Sequence, residues 1–134
     1  MNMKAWALGS ASAGTALIGL AYLISPQAIL VVYGVSLQSV NAANLLRGAY
    51  GGLFVTFAAL FCAGAVKAEF ARPALLSLLA FMSGLAVGRA VSLMTDGIPH
   101  PVLIAMFIVE VFYACVAVRL LTRHREPATC GSAD

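Results

Sequence analysis

The chain has 134 residues, of which 62% are hydrophobic and only 10% charged, whereas soluble domains run to about 45–50% apolar and about 25% charged. A water-soluble fold would have no polar surface to present, and a single domain made of apolar spans of about 20 residues uses up most of this length. The net charge of +3, eight Lys and Arg against five Asp and Glu, does not argue for nucleic acid as a partner.

The first apolar run follows Lys4 and ends at Ser25-Pro26, giving a span at about 5–25. It is longer than the ~7–15-residue apolar region of a signal peptide and has no clean small-x-small cleavage site before Pro26, so a retained helix is expected. Residues 26–40 hold an apolar stretch followed by Ser36, Gln38 and Ser39. Uncharged and too short to span, they read as an interfacial or re-entrant segment. The second span is expected at about 41–66, the third at 73–94 and the fourth at 101–121. Lys67-Ala68-Glu69-Phe70-Ala71-Arg72-Pro73 separates the second from the third. Asp96-Gly97-Ile98-Pro99-His100-Pro101 separates the third from the fourth, with Asp-Gly as a turn signal and prolines that suit a helix start. The expected fold is all-α, an integral membrane four-helix transmembrane bundle over residues 1–121 with a polar cytoplasmic tail at 122–134.

Basic residues set the expected orientation. The N-terminus, the connection at 67–73 and the C-terminal end fall on one side and hold Lys4, Lys67, Arg72, Arg119, Arg123 and Arg125, six of the eight Lys and Arg. The other two connections hold none, so the excess of positive charge predicts that both termini lie in the cytoplasm, as in a multi-pass protein of a bacterial inner membrane.

The other two cations, Arg47 and Arg89, lie inside expected spans. Span two reads Arg47-Gly48-Ala49-Tyr50-Gly51-Gly52 and span three reads Gly84-Leu85-Ala86-Val87-Gly88-Arg89, two GxxxG steps in mirrored order. Small residues at this spacing let helices approach closely in lipid, and antiparallel glycine faces in contact would bring both arginines to similar depth. Asp96 lies just past span three. Glu110 lies roughly 14 Å down span four from its outer end, and Arg47 roughly 9 Å down span two. A charge near a helix centre costs about 2.5–3.5 kcal/mol, so Arg47, Arg89 and Glu110 are expected to face the interior, paired or wetted, with Arg47–Glu110 and Arg89–Asp96 as the candidate ion pairs of a helix lock. Tyr50 and other polar neighbours would complete the layer: Asn41, Asn44, Ser92, Thr95, His100 and Tyr113.

Other chemistry is sparse. Cys62, Cys115 and Cys130 have no CxxC spacing and read as small apolar fillers in a reduced compartment. The two histidines, His100 and His124, lie outside the expected spans, which leaves no histidine pair there for haem or a metal, and no cofactor is expected. Trp6, Tyr22 and Tyr33 stand near membrane boundaries as an aromatic belt would. Met82, Met94 and Met106 read as packing.

The run from Leu46 through Gly52, the Gly84–Arg89 step, Asp96-Gly97 and the intramembrane Glu110 together resemble the small bacterial membrane proteins grouped as domain of unknown function 4345, across nearly the whole chain. The resemblance implies a four-helix membrane protein and carries no established activity or catalytic residue. The layout is also, more loosely, similar to DoxX-type membrane proteins, some associated with redox systems and others with the maturation of membrane partners.

Three functional readings stay open. In the first, Arg47, Tyr50, Arg89, Asp96 and Glu110 form a pocket for a lipid or small anionic ligand, or for a membrane protein partner or a second copy of the chain, since a paired arginine can exchange its partner for an anion. In the second, Glu110 is the acid or base of an enzyme acting on a lipid-soluble substrate. In the third, the ion pairs only lock helix register. Transport is the least favoured, because four spans without an evident repeat make a poor alternating-access machine.

Overall fold

The computed structural model describes residues 3–122, and all of their regular structure is helical. Helix α1 is Met3–Ile24, and Pro26 starts the short α2, Pro26–Val32, after a single non-helical residue, Ser25. Gly34, at φ 74°, turns the chain out of α2, as only a residue without Cβ does readily. The segment at 35–39 is not helical. Ser39 then caps α3, Val40–Leu46, by accepting the Ala42 N–H at 3.1 Å, which satisfies one of the free N–H groups at a helix start.

From α3 the chain runs without a break into a π-helical turn, Arg47–Gly52, and then α4, Leu53–Val66. Three of the six residues in the turn are glycine, and the wider winding inserts one extra residue into an otherwise α-helical span.

Lys67 alone, in an extended conformation, separates α4 from α5, Ala68–Thr95. The third long helix therefore starts at Ala68, and Pro73, where the span is expected to begin, lies inside it. Its first turns need no help from proline: alanines favour the helix, and Glu69 sits where the helix dipole favours an anion. At the other end Gly97, at φ 96°, follows Asp96 and turns the chain toward α6, Pro101–Thr122.

Among the described residues four helical stretches are long and apolar enough to cross a membrane: Met3–Ile24, Val40–Val66, Ala68–Thr95 and Pro101–Thr122. Side chains such as Leu17, Ile24, Val66 and Ile108 point outward and are exposed, which suits lipid and would be costly in water. Neighbouring spans pack in chain order, α1 on α4, α4 on α5 and α5 on α6, and α6 meets α1 only sparsely. The bundle is thus an arc with a seam between its first and last helices.

The two ends of this arc are filled differently. At the end that holds the start of α1 and the close of α6, Leu8, Phe61, Leu75 and Leu78 are fully buried with Ala74 and Ala117 among them. A Cβ on Gly64 would lie 2.3 Å from the Ala74 Cβ, so glycine is what lets α4 and α5 meet there. Phe54, Phe57, Phe61 and Phe81 continue the packing toward mid-bundle, with the Phe57 and Phe81 ring centroids 4.6 Å apart. Beyond that aromatic layer the interior opens.

The glycine contacts differ from the mirrored motif. A Cβ on Gly48, Gly84 or Gly88 would meet nothing within 4 Å, so the two GxxxG faces do not touch. Close approach falls instead at Gly19 against Phe54 and Val55, at Gly51 against Leu23, and at Gly64. The reason is helix order: span two shares its tightest surface with α1, and glycine spacing does not name the partner helix. Cys62 and Cys115 are exposed on the outside of the bundle, so they fill no interior gap. Cys130, His124 and the expected tail beyond Thr122 lie outside the described residues.

Candidate functional site: a half-open cavity beside an ion pair

Heptad-like stripes on three helices build the site. Ala11, Thr15, Ile18 and Tyr22 come from α1, Met82, Leu85 and Arg89 from α5, and Leu103, Met106, Glu110 and Tyr113 from α6. Residues three, four or seven apart share a helix face, so each stripe turns one continuous wall inward. Together with Tyr33, Tyr50 and Phe54 these walls enclose a cavity of about 490 Å³. Protein interiors leave few voids larger than a water molecule, and ligand pockets range over about 300–1,000 Å³.

The cavity opens along the seam between α1 and α6. Gly14 on one side and Val102, Ala105 and Val109 on the other line it and are exposed. The rim is therefore apolar, and a molecule dissolved in lipid could reach the interior sideways. Toward the packed end a bridge closes the seam: the Tyr113 hydroxyl donates to Ser10 Oγ at 3.0 Å, and Ser10 donates to the Trp6 carbonyl at 2.8 Å.

Among the described residues one ion pair is present, and it lies in the cavity wall. Arg89 Nε donates to Glu110 Oε1 at 2.8 Å and Oε2 at 2.9 Å. Glu110 is buried at 5% exposure, and the Arg89 side chain keeps 27%. Pairing offsets the desolvation that either charge alone would suffer in an apolar interior. The outer part of the guanidinium is less occupied, since Nη2 reaches only the Met106 sulfur, at 3.7 Å.

The candidate pairs Arg47–Glu110 and Arg89–Asp96 therefore do not form. Glu110 takes Arg89 and not Arg47, because α5 packs on α6 while the second span packs on α1 and α5. Arg47 is exposed, does not line the cavity, and donates through Nε to the Leu23 carbonyl at 3.1 Å. That carbonyl belongs to the last turn of α1, where no intrahelical donor remains. Asp96 stays local to the end of α5: its backbone N–H caps the helix by donating to the Ser92 carbonyl at 2.8 Å, and its carboxylate accepts from Ser92 Oγ at 2.9 Å. Of the five expected site residues, Tyr50, Arg89 and Glu110 line the cavity together, whereas Arg47 and Asp96 stand outside it. Among the wider set, Tyr113 reaches the cavity, Thr95 bonds the Val91 carbonyl, and His100 sits edge-on to Tyr33 at 6.4 Å.

Other lining groups carry no signal that composition alone reveals. Tyr22 is no boundary anchor: at 8% exposure it stacks on Tyr50 with ring centroids 5.2 Å apart. The π turn carries Tyr50, so the extra residue sets where that ring meets α1. Tyr33 also lines the cavity, its hydroxyl 4.0 Å from the Met106 sulfur. Thr15 is 4% exposed and, like the Tyr22 hydroxyl, has no hydrogen-bond partner among the described residues. The one polar cue in the α1 stripe is Thr15, seven residues before Tyr22 and so on the same face. No cluster of His, Cys, Asp or Glu able to hold a metal ion occurs among the described residues.

Fold and site define the class: a bundle of four membrane-type helices with a half-open internal cavity and an ion pair in its wall. Within that class the chain belongs to the family described as a domain of unknown function, DUF4345, whose model matches residues 3–121. No curated protein and no solved structure matches the chain, and the likeness to DoxX-type proteins is not shown.

Proposed function

We propose that this protein binds a lipid-soluble amphiphile within the membrane, its polar end at Arg89 and its apolar chain leaving through the seam between α1 and α6. The observation that carries the reading is the cavity beside the Arg89–Glu110 pair. A register lock needs no space next to it, whereas about 490 Å³ lies against this pair. The basic residues at one end of the bundle support a bacterial inner-membrane location with both termini in the cytoplasm.

Native mass spectrometry of protein extracted in a mild detergent tests the proposal, with Ala105→Phe as a plug at the exposed rim. A small molecule or lipid carried by the wild type and lost from a folded Ala105→Phe variant is the expected result. Equal occupancy in both, or bare protein in both, contradicts it.

A catalytic reading rests on Glu110 lying in the cavity wall. Both carboxylate oxygens already accept from Arg89 Nε, and the cation beside them favours the ionised form, so proton transfer works against that pair. Binding works against no such contact and is the better supported function.

A further inference from the structure

The hydrogen-bonding groups left over in the cavity have a common chemistry, and it narrows the ligand. Among the described residues Glu110 is the only carboxylate in the wall, and both of its oxygens accept from Arg89 Nε. The guanidinium has further N–H donors, of which Nη2 faces only the weak Met106 sulfur acceptor. Tyr22 and Tyr50 each bring a phenolic O–H without a hydrogen-bond partner among the described residues, and Thr15 brings an unpartnered hydroxyl that is not sealed off from the cavity it lines. The hydroxyls can donate or accept, but the guanidinium N–H groups can only donate, so the group that the wall leaves least satisfied calls for an acceptor.

Charge narrows it again. Arg89 and Glu110 cancel within the wall, and Arg47, the other arginine of the same half, does not line the cavity. An anionic head group would leave the interior with a net negative charge, or would have to displace Glu110 into an apolar surrounding. A neutral acceptor avoids both outcomes while satisfying the donors.

Resting on the binding reading above, we infer that the ligand is a neutral lipid bearing a carbonyl acceptor, held by Arg89, Thr15 and Tyr22, and not an anion. The carbonyl belongs to an ester or a ketone, and the stacked Tyr22–Tyr50 rings form an apolar wall beside it. The sequence expectation of an anionic ligand assumed that an arginine would be free to exchange its partner. Here the arginine in the cavity is held by the carboxylate itself.

The test measures binding of four probes to the full-length protein in detergent by native mass spectrometry. They are methyl oleate, a long-chain methyl ketone, oleyl sulfate as a fixed anion, and the plain alkene of matching chain length. The ester or the ketone should bind about tenfold more tightly than the alkene, the scale of a hydrogen bond to a charged donor, and oleyl sulfate more weakly than either. Thr15→Val and Tyr22→Phe, which keep shape and remove one hydroxyl each, should weaken the carbonyl probe about 2- to 10-fold and leave the alkene unchanged. Tighter binding of oleyl sulfate overturns this inference and leaves the cavity as a binding site. Equal losses for carbonyl probe and alkene overturn it in the same way, while retention of none of the four overturns the binding reading as well.

Discussion

The two ends of the bundle are made from the same helices and are filled in opposite ways. At one end Leu8, Phe61, Leu75 and Leu78 are fully buried and Gly64 lets the backbones close. At the other, Tyr22, Tyr50, Arg89 and Glu110 surround about 490 Å³ of space. Lipid is as apolar as the core, so helix association in a membrane depends on packing and hydrogen bonds more than on water exclusion. The packed end supplies that association through contact area. The hollow end supplies less contact, and its charged pair ties α5 to α6 beside the opening.

Substitutions that separate the two ends sharpen this contrast. The largest effect is expected from Phe61→Ala, which empties the centre of the packed end: a stability loss of about 3–5 kcal/mol, read by thermal or denaturant unfolding in detergent. Glu110→Ala follows closely. It strands Arg89 in the interior, for a loss of about 3 kcal/mol, and Arg89→Met in the same chain should restore most of it. Should the double variant stay as unstable as Glu110→Ala, the charge-stranding account of the pair is wrong.

Smaller effects are expected where the interior is already open. Gly14→Leu projects into unoccupied space at the seam and should change stability by less than about 1 kcal/mol. It should nevertheless reduce ligand occupancy, which native mass spectrometry reads directly; a Gly14→Leu protein that unfolds would show the seam to be tighter than described. The smallest effect belongs to Asp96→Asn, which keeps a side-chain acceptor for Ser92 outside the cavity and should shift stability by under about 0.5 kcal/mol and binding not at all.

The contrast between the ends also explains what the sequence could reveal. The spans were legible because long apolar runs are punctuated by Lys67, by Asp96-Gly97 and by prolines, and the inward position of Arg89 and Glu110 follows from the cost of charge in lipid. Which cation meets Glu110 was not legible. That depends on helix order and rotation, and a membrane helix that is apolar all round gives no periodic signal for its inner face. The GxxxG steps misled for a related reason: small residues permit an approach, and Gly19 and Gly64, outside those motifs, are where it happens. The π turn at Arg47–Gly52 was hidden because composition does not report winding, and with it went the stacking of Tyr50 on Tyr22.

A photoactivatable methyl oleate, crosslinked to the purified protein with and without excess unlabelled ester and mapped by peptide mass spectrometry, tests the hollow end most directly. The account predicts adducts that the competitor suppresses at Gly14, Thr15 and Tyr22 on α1 and at Met106 and Val109 on α6. Outward residues such as Leu17 and Ile108, both exposed, should be labelled without competition. Labelling confined to such outward positions, with nothing suppressible at the seam, would contradict a ligand site in the cavity.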